Sequence, residues 1–200
     1  MKIKSIFTFT VFSILVMLSV ANGQQKKPFD LQKLLKENKL VAYKAVTPIT
    51  DGTRSGVSGS GIVWLKDVSF SNGTIEVDLR GKDVPQRSFL GIAFHGVDTT
   101  TYDVIYFRPF NFRSTDSVKK IHAVQYISHP MYTWKKLREE HPGQYEKGIT
   151  PPPLATDWFH ARIEVNNGEV SVFVDQAATP SLKVKTLNTR KDGLIGLWDF

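Results

Sequence analysis

Residues 161–175, "ARIEVNNGEVSVFVD", read as two antiparallel strands joined by a tight turn. Ile163 and Val165, then Val170, Val172 and Val174, face one way around the turn. That is the period of a strand with one packed face and one wet face. The Asn-Asn-Gly between them supplies the residues that tolerate positive φ in a two-residue hairpin turn.

The same pattern spreads in both directions. Downstream, "SLKVKTL" and "GLIGLW" are strands. Upstream lie "KLVAYKAV", "GIVWL", "GTIEVDLRG", "FLGIAFHGV", "YDVIYFRPF" and "HAVQYIS". "SNGT" before Ile75 is read as a turn on its Asn-Gly pair, although it also matches the glycosylation sequon at Asn72. "DGTRSGVSGSG" reads as a glycine- and serine-rich turn region. About nine or ten short strands with little helix predict an all-β protein: an antiparallel β-sandwich of jelly-roll type.

Two segments stand apart. "DLQKLLKENKL" is a short helix at most, with Asp30 as its N-cap, inside a leader over residues 24–39. Residues 128–157 form a long insertion between strands. Thr133 caps a short helix there, and Pro142-Gly143 ends it. Trp134 and Leu137 are expected to pack on the sandwich and to hold Arg138 near its ligand face.

Lys2 and Lys4, an apolar run from Ile6 to Val20, and Ala21 and Gly23 form a secretory signal cleaved after Gly23. The domain is therefore expected over residues 40–200 of an exported protein, periplasmic or extracellular, with no membrane insertion after cleavage. The chain has 200 residues and no cysteine, so its stability rests on core burial and not on disulfides. The formal charge of +7 is scattered along the chain, with no basic stripe interleaved with aromatics. That argues against a nucleic-acid partner.

The chemistry concentrates at "YFRPFNF", residues 106–112. Ile105 and Phe107 share one strand face, with Ile92 and Phe94 beside them. Tyr106 and Arg108 share the other, with His95. Gln125 belongs to either face, because both its flanking pairs are apolar. Aromatic faces beside Arg, Asn, Gln and His suit a sugar, whose ring stacks while its hydroxyls bond. The expected carbohydrate-binding residues are His95, Tyr106, Arg108, Asn111, Arg113, Gln125, Trp134 and Arg138, with Asn111 and Arg113 at the rim. The alternative pairs Arg108 with an acid such as Asp103.

No metal site is indicated. His122 and His129 are seven apart, and no run of acids marks a calcium loop. No cofactor is expected, with a structural calcium ion, which sandwiches of this shape can hold, as the alternative.

At "FSNGTIEVDLRG", "GIAFHG", "YDVIYFRPFNFR", "HAVQYISHP", "TWKKLREEHPGQYE", "DWFHARIEV" and "GLIGLW" the chain resembles the concanavalin A-like lectin/glucanase superfamily. It is most similar to its bacterial exported branch, near the laminin-G-like and 3-keto-disaccharide hydrolase domains. The resemblance covers residues 40–198. It implies a jelly roll with a sugar-facing concave sheet, in a superfamily that holds binders and enzymes alike. Such domains commonly carry one more strand after "GLW", so either the last strand is missing or the sequence is a truncated reading. Family 16 glycoside hydrolases of this superfamily carry Glu, then Asp two residues on, then a second Glu. Glu76 and Asp78 match the first two, but Gly81 or Lys82 stands where the second Glu belongs. A carbohydrate-binding sandwich is the expected function. A glycan-active hydrolase of the same superfamily and a partner-binding sandwich without a sugar site are the alternatives.

Overall fold

A computed structural model describes residues 27–200. The signal segment expected over residues 1–23 lies outside them.

The hairpin at 161–175 forms as β10 (Phe159–Asn166) and β11 (Glu169–Val174), paired from Ala161↔Val174 to Asn166↔Glu169. Asn167 and Gly168 turn it with φ of 49° and 82°. Two positive φ values in succession match the right-handed strand twist. With β5 (Gly73–Leu79) and β12 (Leu182–Lys185) the hairpin makes a four-stranded sheet in the order β12-β11-β10-β5.

A seven-stranded sheet faces it, in the order β1-β4-β13-β6-β7-β8-β9. Its strands are β1 (Leu40–Ala42), β4 (Gly61–Phe70), β6 (Leu90–Gly96), β7 (Tyr102–Phe107), β8 (Val124–His129), β9 (Glu146–Lys147) and β13 (Gly193–Asp199). The core lies between the sheets. Phe107 meets Phe159 of the opposite sheet at 5.1 Å between ring centres, and Ile92, Phe94 and Ile105 belong to the same buried core as Ile163, Val172 and Leu182. β13 sits between β4 and β6, so the "GLW" strand is interior to the sheet.

The glycine- and serine-rich segment is no simple turn. It folds into a two-stranded hairpin, β2 (Thr47–Asp51) and β3 (Arg54–Ser58). Asp51 at its tip accepts hydrogen bonds from Trp158 Nε1 and Arg80 Nη1, both at 2.6 Å, which pins the tip against the sandwich. The leader helix α1 (Leu31–Lys36) is capped by Asp30, and Gln32 ties it to this hairpin.

The insertion is ordered. α2 (Ser117–Lys120) precedes β8, and α3 (Trp134–Glu140) follows it, with Thr133 capping α3 through Lys136 N. Leu137 is 1% exposed and packs into the body as expected. Trp134 does not: it is 47% exposed, and the Arg138 guanidinium lies over its ring at 5.2 Å. One helical turn separates the two, so they cover each other on the solvent side. Among the described residues no helix is long and apolar enough to cross a membrane.

Candidate functional site

β7 alternates as read. Ile105 and Phe107 point into the core, and Tyr106 points to the outer face of the seven-stranded sheet. The register Tyr106↔Gln125 puts Gln125 on that outer face, and Gln125↔Glu146 adds the carboxylate of the two-residue strand β9. Pro109 ends the ladder, and Arg108 folds back on Tyr106.

These side chains make one buried cluster. Arg108 Nη2 donates to the Tyr106 hydroxyl and to Gln125 Oε1, and Nη1 donates to the His122 carbonyl at 3.0 Å. Tyr106 donates to Gln125 Oε1 at 2.8 Å. Arg138 clasps Glu146 with two bonds, Nε to Oε1 at 2.9 Å and Nη2 to Oε2 at 2.7 Å. Arg108 Nη1 lies 3.9 Å from Glu146 Oε2. His122 Nδ1 is 2.7 Å from the same oxygen, but off the line of a hydrogen bond. Arg108 therefore pairs with Glu146 through charge alone, without a hydrogen bond, and Asp103 is not its partner.

The cluster is not open to solvent as the sequence suggested. Tyr106 is 2% exposed, Arg108 6% and Gln125 0%. The outer face is filled by rings: Trp198 lies 5.0 Å from Tyr106, Phe200 4.6 Å from Trp198, and Phe89 packs on both Tyr106 and Phe110. Burial pushes the Tyr106 hydroxyl up to about 12, against the pull of the Arg108 charge. Burial lowers Arg108 and His122 from their ordinary values.

Besides His122 Nδ1, two polar atoms on this face remain without a hydrogen-bond partner. Gln125 Nε2 and Trp64 Nε1 are buried donors with no acceptor. The Gln125 orientation is fixed, because Oε1 receives Arg108, which has donors only. A buried donor without an acceptor costs roughly 1–3 kcal/mol, so each marks a place for an oxygen the protein does not supply.

The other predicted residues sit elsewhere. His95 does not join Tyr106 and Arg108. Its φ of 49° puts a bulge in β6, where β13 advances from Leu194↔Gly96 to Gly196↔Ala93. That rotation carries the ring to Asp103, on the opposite face of β7, at 3.3 Å, and to the Ser71 carbonyl at 2.8 Å. Asp103 also accepts from Tyr126, Asn188 and Arg190. Burial alone would raise its carboxyl, but these bonds and the Arg190 charge hold it below the usual value. Asn111 is 5% exposed and bonds the His122 carbonyl. Arg113 donates to the carbonyls of Pro152 and Pro153 and so fastens the insertion. Both tie loops together and line no open rim. Glu146, Trp64 and His122 were missed as members of this face.

Glu76 and Asp78 lie on the outer face of the four-stranded sheet, across the sandwich from this cluster. His160 bonds Asp78 at 2.9 Å, and a depression of 520 Å³ there is lined by Glu76, His160, Arg162, Asp175 and Gln176. It is a dish between charged side chains that largely pair with one another. A smaller depression of 190 Å³ lies beside Tyr43, Ser60, Ile62 and Phe200, at the end of the aromatic face. Among the described residues no group of three or more His, Asp or Glu is placed to hold a metal ion.

The sandwich has known counterparts. The carbohydrate-binding module CBM66 from Bacillus subtilis superposes with a TM-score of 0.50 and 17% identity, over 77% of this chain and 88% of that one. The fold shared with that module is the antiparallel β-sandwich described above. A Bacillus subtilis protein of unknown function with a galectin-like fold gives 0.46 and 11% over 77% and 79%, and a Bacillus licheniformis β-glucanase 0.41 and 15% over 81% and 70%. No protein-family profile and no curated protein matches the sequence.

Proposed function

We propose that the protein is an exported carbohydrate-binding domain that takes its ligand on the outer face of the seven-stranded sheet. One observation carries this reading: Gln125 Nε2 is a fully buried donor without an acceptor, set beside Tyr106 and Arg108 on a face lined with rings. A sugar supplies both missing elements, an apolar ring face for Phe89, Phe110 and Phe200 and hydroxyl oxygens for the unpaired donors. Arg138 and Trp134, the partly exposed members, form the mouth. The likeness to a carbohydrate-binding module supports the reading.

The same geometry favours binding over hydrolysis. Glycosidases need two carboxylates roughly 5–10 Å apart flanking the bond. In the cluster on this face the carboxylate is Glu146, and Arg138 holds both its oxygens. The partner-binding reading has an observation of its own, the near-complete burial of Tyr106 and Arg108.

A glycan array probed with the purified protein separates the two. Binding to defined glycans, unchanged by a chelator, is the expected result. A blank array with the protein folded overturns the carbohydrate reading in favour of a protein partner.

A further inference from the structure

The charge in the outer-face cluster does not balance. Arg108, from the end of β7, and Arg138, from α3, are cationic. Glu146 of β9 is the anion among them, and Arg138 occupies it bidentately. The remaining members are neutral: Gln125, the Tyr106 phenol, whose burial raises its pKa, and His122, whose burial lowers its pKa. One positive charge is left over, and it resides on Arg108, which is 6% exposed and reaches Glu146 only at 3.9 Å. Its hydrogen bonds go to neutral oxygens, those of Tyr106, Gln125 and the His122 backbone. A buried guanidinium in surplus is costly unless an anion completes it. The amide Nε2 of Gln125, whose Oε1 touches Arg108, is the unpartnered donor. Surplus charge and unused donor therefore stand side by side, and both ask for an anionic oxygen.

We propose that this site selects acidic glycans, with the anionic group of the sugar, a uronate carboxylate or a sulfate ester, received by Arg108 and Gln125 Nε2. The inference rests on the carbohydrate-binding reading above and narrows it to a ligand class. Arg138 and the exposed Trp134 ring form the approach, a cation stacked on an aromatic plate.

Titration calorimetry of the whole protein in 0.15 M salt tests this with matched probes. Polygalacturonate oligomers are compared with their methyl esters, and dextran sulfate with dextran. Within at least one pair the acidic member should bind at least tenfold tighter than its neutral twin, and the pair that responds identifies the anion. The key variant is Gln125→Glu. It keeps the acceptor that Arg108 and Tyr106 use, removes the donor and cancels the surplus charge. Acidic-glycan affinity should fall to the level of the neutral twin while the melting temperature rises. Lys185→Gln, on the four-stranded sheet, should leave the preference in place.

Equal affinity for acidic and neutral twins overturns the inference and leaves the carbohydrate reading standing. No binding to any probe overturns the inference as well, while the carbohydrate reading falls only with a blank glycan array. A Gln125→Glu protein that melts lower and still prefers the acid refutes the charge argument, and so does a Lys185→Gln protein that loses the preference, because general basicity then explains it.

Discussion

Glu146→Gln should destabilise the protein by about 3 kcal/mol at neutral pH, the lower end of what breaking a buried ion pair costs. The change is nearly isosteric, so no cavity forms and the effect is electrostatic. Glu146 is 2% exposed and is the counter-ion of two guanidinium groups. At 3.9 Å from Arg108 the attraction is about 4 kcal/mol with an effective dielectric constant of ~20. The Arg138 contribution is closer in distance, but its side chain is 34% exposed and water takes over part of it. Relief from burying a carboxylate offsets some of the loss. For a domain of this size the melting temperature should fall by about 6–12 °C. Urea unfolding followed by circular dichroism measures the free energy directly. Adding Arg108→Gln to Glu146→Gln should cost less than the sum of the two single changes, since the pair then leaves together. A loss under about 1 kcal/mol for Glu146→Gln, the range of an exposed pair, would refute the buried counter-ion.

Three further outcomes follow from the packing and the titrating groups. Phe107→Ala should cost about 3–5 kcal/mol in the same assay, because its ring is fully buried against Phe159 and leaves a cavity between the sheets. Gly91→Ala should be destabilising out of proportion to one methyl: a Cβ there would stand 2.0 Å from the Ile105 carbonyl oxygen and 2.7 Å from the Tyr106 Cα, both backbone atoms, so a melting temperature equal to wild type would contradict the strand spacing. Burial lowers both His122 and His129 in the folded state, so below their ordinary value of 6.5 the unfolded chain binds more protons and stability falls as pH drops through that window. Unfolding titrations from pH 8 to 5 should show this slope, and a double His122→Gln/His129→Gln protein should flatten it.

The strands were legible because their side chains alternate, and β10–β11 and β5 keep their outward positions polar except at Phe173, which Arg162 covers. The same signal, read closely, points to the covered outer face. "FLGIAFHGV" and "YDVIYF" are apolar at both parities, and every residue of β6 and β7 is buried, as a strand covered on two sides requires. Read as one-sided strands, they left Tyr106 and Arg108 in solvent. His95 moved because one left-handed residue inverts a face, and histidine carries no local sign of it. Glu146 was hidden in a two-residue strand within the insertion. Its meeting with Arg108 depends on the order β7-β8-β9, which side-chain periodicity does not encode. The β2–β3 hairpin escaped notice because it is held by its tip, through Asp51, Trp158 and Arg80, and not by an apolar face of its own.

Two side-chain signals report directly on the outer face of the seven-stranded sheet. The Gln125 amide and the Trp64 indole each give resolved proton–nitrogen resonances. Titration of the labelled protein with a glycan that binds on the array should shift the Gln125 Nε2 signals most, with the Trp64 Nε1 and Arg138 Nε signals moving in step. Shifts confined to His160, Arg162 and their neighbours on the outer face of the four-stranded sheet, with Gln125 unmoved at saturation, would contradict the account.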